Sequence, residues 1–230
     1  MVVQDSQADR AMVSVLIATL NEEDGISKVL PAIPRELIDE VLVVDNSSDR
    51  TAQIAEQLGA NVIREPRTGY GRAIHTAIEN ASGEILVYID GDFTYDPTEI
   101  PRLLEPVRQG RYDLAIGNRL KEHSNHASMP LLNRIGNRIL SEIFAAIYRV
   151  SVSDTQCGLR VLRRSPLLEH PYHNYGMAYV TEQLIRQVRA GYRIAEIPVS
   201  YRPRLGRSKL RPFLDGVRIL WTMLRMWPQH

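Results

Sequence analysis

The chain has 230 residues, 44% of them hydrophobic and 24% charged, with a formal net charge of +1 at pH 7. These values fit one soluble globular domain, or one domain with an appended arm, large enough to bury a core without disulfide staples. A charge so close to zero gives no whole-surface attraction to nucleic acid, and the single cysteine, Cys157, excludes an intrachain disulfide and fits a reducing compartment.

The leading segment MVVQDSQADRAM carries Asp5 and Asp9 and no apolar run of signal-peptide length. No window holds the roughly 18 apolar residues of a spanning helix. The expected location is the cytoplasm, with attachment to the cytoplasmic membrane face left open.

Val13 to Ala18 and Val41 to Asp45 read as short buried strands rich in β-branched residues, and residues 22–33 between them have helical spacing with acids in the first turn. A helix is expected over residues 49–58, capped by Ser48 or Asp49 and stopped by Gly59. A short strand near Val62 and Ile63, a helix over residues 71–81 and a strand running into Asp90 follow. After Pro97 come another helix and a strand at 113–117. This alternation predicts an α/β fold, a mostly parallel sheet with helices on both faces and ligand groups at the carboxyl ends of the strands.

Beyond residue 120 the pattern changes. Residues 121–130 (KEHSNHASMP) read as a polar loop, and apolar residues at 131, 132, 135, 139, 143 and 147 mark an amphipathic helix over 131–149. Residues 194–201 read as a late strand whose Pro198 places it at an edge. A basic loop, 202–211, precedes a final helix over 212–227. Asp215, Arg218, Thr222 and Arg225 form its one polar stripe, so the rest must be covered by its own domain, by a partner subunit in a homo-oligomer, or by a membrane surface.

The acids of VYIDGDFTYDP (87–97) stand where a buried strand opens into a loop. There Asp90 and Asp92 can converge on one cation, and oxygen ligands of this kind suit Mg²⁺ or Mn²⁺, which also bind substrate phosphates. Two other readings fit the same residues. They are turn or capping acids, or the Asp-x-Asp-x-Thr start of a haloacid-dehalogenase-type phosphatase, with Asp90 as nucleophile. The second lacks its downstream lysine with a paired acidic motif.

Seven segments in order widen the context: VLIATLNE (15–22), VVDNSSDRT (43–51), RTGYGRA (67–73), IDGD (89–92), IGNR (116–119), DTQCGLR (154–160) and GRSKL (206–210). Together they resemble family 2 glycosyltransferases of the GT-A fold, a Rossmann-like architecture. Within the family the closest resemblance is to the polyprenyl-phosphate enzymes, the branch of the dolichol-phosphate mannose synthases and dolichyl-phosphate glucosyltransferases. The resemblance spans residues 12–211 as one GT-A domain, with 212–230 as a C-terminal amphipathic helix.

It implies that Thr19, Glu22, Val43 and Asp45 hold the nucleotide base and ribose, and that Arg67 and Gly69 meet the diphosphate. Asp90, Gly91 and Asp92 form the metal loop, with Asp90 and Asp92 as ligands. Thr94 stands where the mannose synthases offer a glutamine. Arg204 and Lys209 are implied as donor-phosphate contacts, and Arg119, Arg134 and Arg160 as acceptor-phosphate groups, with Arg138 on a solvated face.

The implied reaction is inverting transfer of a hexose from a GDP-mannose or UDP-glucose type donor to a polyprenyl or dolichyl phosphate. Asp92, Arg119, Arg134 and Glu182 are the expected catalytic set. A phosphate acceptor is already anionic and needs no general base. The stretch Thr181-Glu182-Gln183 stands where many relatives carry a Glu-Asp pair, so Glu182 either orients the sugar or pairs with an arginine. In the alternative reading it is the base for a saccharide hydroxyl. A non-catalytic nucleotide-sugar-binding or phosphatase-like protein is the reading from a different class.

Overall fold

The computed structural model describes residues 10–121, 128–164, 172–209 and 211–227. Most of the expected polar loop at 121–130, and Leu210 of the GRSKL segment, lie outside them.

The first half follows the expected alternation. Strand β1 (Val13–Thr19) is followed by α1 (Glu23–Ala32) and β2 (Glu40–Asp45), then α2 (Thr51–Gln57), β3 (Asn61–Arg64), α3 (Tyr70–Asn80) and β4 (Ile85–Tyr88). Asp49 accepts hydrogen bonds from the backbone N–H and hydroxyl of Thr51 at 2.9 and 2.5 Å and so steadies the start of α2. Helix α4 (Ile100–Arg108) leads to β5 (Leu114–Asn118), and α5 (Leu131–Tyr148) ends where Arg149 turns left-handed at φ 56°.

Two elements of the second half are additions to the expected list: a four-residue strand, β6 (Arg160–Arg163), and α6 (Tyr179–Arg189). Strand β7 (Ile194–Pro198) and helix α7 (Pro212–Arg225) complete the described chain. The seven strands form one sheet in the order β3-β2-β1-β4-β6-β5-β7, so β7, ending at Pro198, is an edge as expected. All pairings are parallel except those of β6, which runs antiparallel to both β4 and β5.

Strands β1 and β4 are almost wholly buried, because helices cover both faces of the sheet and leave apolar side chains no solvated side. β1 lies between β2 and β4, so the chain crosses over in opposite directions from it and opens a crevice at its carboxyl end. The register sets Thr19 beside Asp45, and Asp90 follows β4 on the other side.

Helix α7 is not a free arm beyond residue 211 but packs on α5 and α6 as part of the same body. Ile219, Thr222 and Met223 are buried, and the Tyr148 hydroxyl meets the carbonyls of Met223 and Met226, each at 2.8 Å. No helix among the described residues is long and apolar enough to cross a membrane.

Candidate active site

A cleft of about 390 Å³ opens at the carboxyl ends of β1, β2 and β4. Its lining includes Thr19, Glu22, Asp45, Arg67, Gly69, Asp90, Gly91, Asp92, Arg119, Arg204 and Lys209, eleven side chains or backbone positions that the sequence singled out. They come from segments up to 190 positions apart in the chain, brought together by the sheet order.

On the β1–β2 side the Thr19 hydroxyl donates to Asp45 Oδ1 at 2.7 Å. Asp45 also accepts from the Ser47 hydroxyl and backbone N–H and pairs with Arg64. This network turns Asp45 into a fixed acceptor at the mouth of the crevice, suited to a ribose hydroxyl or a base N–H. Val43 is fully buried in β2, so its side chain belongs to the core and not to the described lining of the cleft.

Glu65, which sequence reasoning missed, lines the cleft just beyond β3. Arg67 donates from Nε and Nη2 to its two carboxylate oxygens at 2.7 and 2.8 Å, and the Thr76 hydroxyl adds a third bond. Those bonds from Arg67 hold the Glu65 carboxyl down to about 2. Arg67 is thus tethered at the cleft by a carboxylate. Gly69 stands at φ 136°, and a side chain there would meet the Tyr175 carbonyl oxygen at 2.3 Å, so only glycine lets this loop lie against that of α6.

The acid loop is built around Asp92. Its Oδ1 accepts from both the N–H (3.0 Å) and the hydroxyl (2.6 Å) of Thr94. Phe93 between them is left-handed at φ 61°, an uncommon conformation for a bulky residue and one that curls Thr94 back onto the carboxylate. Thr94 therefore orients Asp92. Asp90 lies deeper, and a Cβ at position 158 would come within 2.8 Å of its Oδ2, which makes Gly158 necessary for the close approach. Burial, and then the charge of Asp92, push the Asp90 carboxyl well above the usual range.

A divalent cation is the natural counter-charge for such a pair. Among the described residues no cluster of three or more His, Cys, Asp or Glu side chains is arranged to hold a metal. Two carboxylates in a polar cleft still fit Mg²⁺ or Mn²⁺, which keep several waters and complete their shells on phosphate oxygens.

The basic loop lies across these acids. Arg204 pairs with both Asp92 and Glu22, and Lys209 Nζ reaches Glu22 Oε1 at 2.6 Å and the Asn21 carbonyl at 2.8 Å. The backbone joins as well: Arg202 N–H donates to Thr94 O at 2.8 Å and Leu205 N–H to Asp92 O at 3.2 Å. Burial raises the Glu22 carboxyl even with those two cations beside it.

After β5, Arg119 forms a two-pronged bridge to Asp154, Nε–Oδ2 and Nη2–Oδ1 both at 2.8 Å, with its own N–H adding a third bond at 3.0 Å. Burial would lower the Arg119 guanidinium, but the Asp154 carboxylate outweighs it and the charge is kept. The Tyr201 ring sits 5.3 Å from this guanidinium. Asp154 of the DTQCG segment is the partner that the sequence did not assign.

Two other expectations are corrected. Arg160 is fully buried, and its guanidinium donates to the carbonyls of Thr155, Cys157 and Val180 at 2.7 to 2.9 Å, so it braces the loop instead of meeting a phosphate. Glu182 is also fully buried and accepts from His173, Asn174 and Arg186; with its lone pairs filled it cannot serve as a base. Arg134 lies on α5 outside the described lining of the cleft. Arg211 of the basic loop, at the N-cap of α7, and Asp215 and Arg218 of the helix's polar stripe also line the cleft, at the i, i+4, i+7 spacing of one face.

With this geometry established, comparison with known proteins is informative. Residues 14–170 match the family model described as Glycosyl transferase family 2. A dolichyl-phosphate hexose transferase of Haloferax volcanii is 38% identical over 210 residues, 90% of either chain. The low-salt glycan biosynthesis hexosyltransferase Agl6 of the same organism is 37% identical over 217 residues, 92% of this chain but 52% of that protein, so the chain spans about half its length. Among solved structures, glucosyl-3-phosphoglycerate synthase from Mycobacterium tuberculosis, in complex with Mn²⁺, UDP and glucosyl-3-phosphoglycerate, superposes with a TM-score of 0.76 at 24% identity, covering 95% of this chain and 81% of that one. This structural likeness shows the fold, that of the GT-A glycosyltransferases.

Proposed function

Because this chain belongs to glycosyl transferase family 2, we propose that it moves a hexose from a nucleotide-diphosphate sugar to a polyprenyl or dolichyl phosphate, with inversion at the anomeric carbon. The donor is of the GDP-mannose or UDP-glucose type. One observation carries the acceptor half. Arg211, at the N-cap of α7, and Asp215 and Arg218 within it line the cleft, while Phe213, Val217 and Trp221 of the same helix are exposed at 82, 52 and 64%. A phosphate seated in the cleft would therefore have its hydrocarbon tail beside an apolar surface.

The residues divide the work. Thr19 and Asp45 bind the nucleoside end of the donor, and Arg67, tethered by Glu65, binds its diphosphate together with Arg204 and Lys209. Asp90 and Asp92 would hold Mg²⁺ or Mn²⁺, which supplies charge neutralisation for the departing diphosphate. Arg119, fixed by Asp154 and Tyr201, presents positive charge to the acceptor wall, with Arg211 and Arg218 beside it. An ionised phosphate attacks without losing a proton, which agrees with a Glu182 whose hydrogen-bonding capacity is already filled. That filled carboxylate also speaks against a saccharide hydroxyl as acceptor.

The same helices support a cytoplasmic protein that docks on the membrane face. α5 and α7 pack together and expose Leu131, Leu132, Ile135 and Ile139 beside Phe213, Leu214, Val217, Trp221, Leu224 and Trp227. Tryptophans at the edge of such a face suit a headgroup boundary. A homo-oligomer through the same helix is the competing arrangement.

The test is incubation with Mn²⁺ or Mg²⁺, a polyprenyl phosphate and a panel of GDP- and UDP-sugars. A lipid-extractable, acid-labile hexose product is expected from one donor. Transfer only to soluble sugars would overturn the acceptor, and release of inorganic phosphate would favour a phosphatase.

A further inference from the structure

The Arg204 arm touches the very oxygens that the proposed metal needs. Arg204 Nη1 donates to Asp92 Oδ2 and Nη2 to Glu22 Oε1, while Asp92 Oδ1 is already occupied by Thr94. Thr94 and Arg204 thus take one oxygen of Asp92 each. A divalent cation arriving at Oδ2 would meet a guanidinium at contact distance, and two cations on one carboxylate oxygen repel.

Neither partner is fully satisfied by this arrangement. Arg204 Nε and Glu22 Oε2 are buried without a hydrogen-bond partner among the described residues. A buried donor left over is unfavourable, and it is placed to take an anion's oxygen. The arm is also only partly sunk, its arginine side chain 23% exposed against 7% for Asp92, so detaching it requires little rearrangement of the core. The rest of the segment is held by the backbone bonds at Arg202 and Leu205, the Arg202–Asp96 ion pair and the Lys209 contacts, none of which involves the Arg204 side chain, so they need not break when that side chain changes partner.

We infer that Arg204 is an exchangeable counter-cation for the acid pair, so that a divalent cation binds well only in company with a diphosphate. The diphosphate supplies the ligands that two carboxylates lack, and it gives the displaced guanidinium a new partner. Arg204 therefore opposes the metal alone and favours the metal with nucleotide, and Thr94, by holding Asp92, decides which oxygen is exchanged. This rests on the glycosyltransferase reading of the cleft but does not follow from it.

The test is Mn²⁺ binding, followed by calorimetry and by the electron paramagnetic resonance of the free ion, with and without UDP or GDP. Wild type is expected to bind Mn²⁺ weakly alone and strongly with one of the nucleotides. R204Q should tighten Mn²⁺ alone by about tenfold and loosen the nucleotide–Mn²⁺ complex by about tenfold, an inversion of sign from one substitution. R204M should behave alike and guards against a defect peculiar to the amide; circular dichroism checks that both variants fold. K209Q, which removes one of the two cations on Glu22 and none from Asp92, should leave the affinity for Mn²⁺ alone within about twofold.

Unchanged Mn²⁺ affinity in R204Q and R204M, with nucleotide binding normal in wild type, would overturn the exchange and leave the proposed function standing. Equal tightening by K209Q would also overturn it, because any lost positive charge would then suffice. No nucleotide–Mn²⁺ binding by wild type would remove the function and this inference together.

Discussion

Arg119 and Arg204 both line the cleft, and each ends on an aspartate, yet they are different devices. Arg119 and Asp154 have side chains 8% and 0% exposed, and two pairs of atoms plus a backbone N–H lock them together. Arg204 meets Asp92 from a loop, shares itself with Glu22 and keeps an unpartnered Nε. Burial and completeness of bonding decide the difference. A buried, doubly bonded pair holds its guanidinium in one place, whereas a half-satisfied pair can trade partners.

The sharpest way to break this contrast is to remove each carboxylate's charge. Asp92→Asn is expected to lower kcat about a thousandfold, the several kcal/mol that metal charge stabilisation supplies, while the melting temperature stays near wild type. Asp154→Asn should do the reverse. It leaves Arg119 buried without its counter-charge, so unfolding in urea should show a loss of about 3–5 kcal/mol. If both variants lose stability equally, the two pairs are not distinct.

A smaller effect is expected from Trp221→Ala on the exposed face of α7. Flotation with vesicles carrying anionic lipid should weaken several-fold, with transfer to a detergent-solubilised acceptor little changed. Unchanged flotation combined with a change in sedimentation mass would assign this face to a second copy of the chain.

The smallest effect concerns the Glu65–Arg67 tether, a pair with an exposed guanidinium. Arg67 depresses the Glu65 carboxyl from an ordinary 4.5 to about 2, so its contribution to stability is complete above about 4.5 and lost as the pH falls towards 2. The melting temperatures of wild type and Glu65→Gln should therefore converge over that window. A gap that persists at pH 2 would mean that the pair acts through packing and not through charge.

Much of the donor side was legible in the sequence because parallel strands announce themselves. Short apolar runs ending in Thr19, Asp45 and Asp90 needed only the rule that such ends face a crevice. The acceptor side was harder to read. Strand β6 hides because Arg160 lies buried within it, and α6 hides because Thr181, Glu182, Gln183 and Gln187 are buried polar residues that erase the apolar stripe. Gln183, for instance, donates to the Tyr88 hydroxyl at 2.8 Å, a partner 95 positions away in the chain.

The same blindness misassigned Arg160 and Glu182. A charged residue in a motif reads as function until its bonds can be counted, and here those bonds are filled by the protein itself.

The sequence alone determined the α/β alternation, the edge position of β7, the acids at the strand ends and their resemblance to a glycosyltransferase family, because these depend on local pattern and order. Only the tertiary structure decided which charges remain available for ligands. That depends on desolvation and on partners: Asp154 for Arg119, three carbonyls for Arg160, Thr94 and Arg204 for Asp92, and the packing of α7 that brings Asp215 and Arg218 to the cleft.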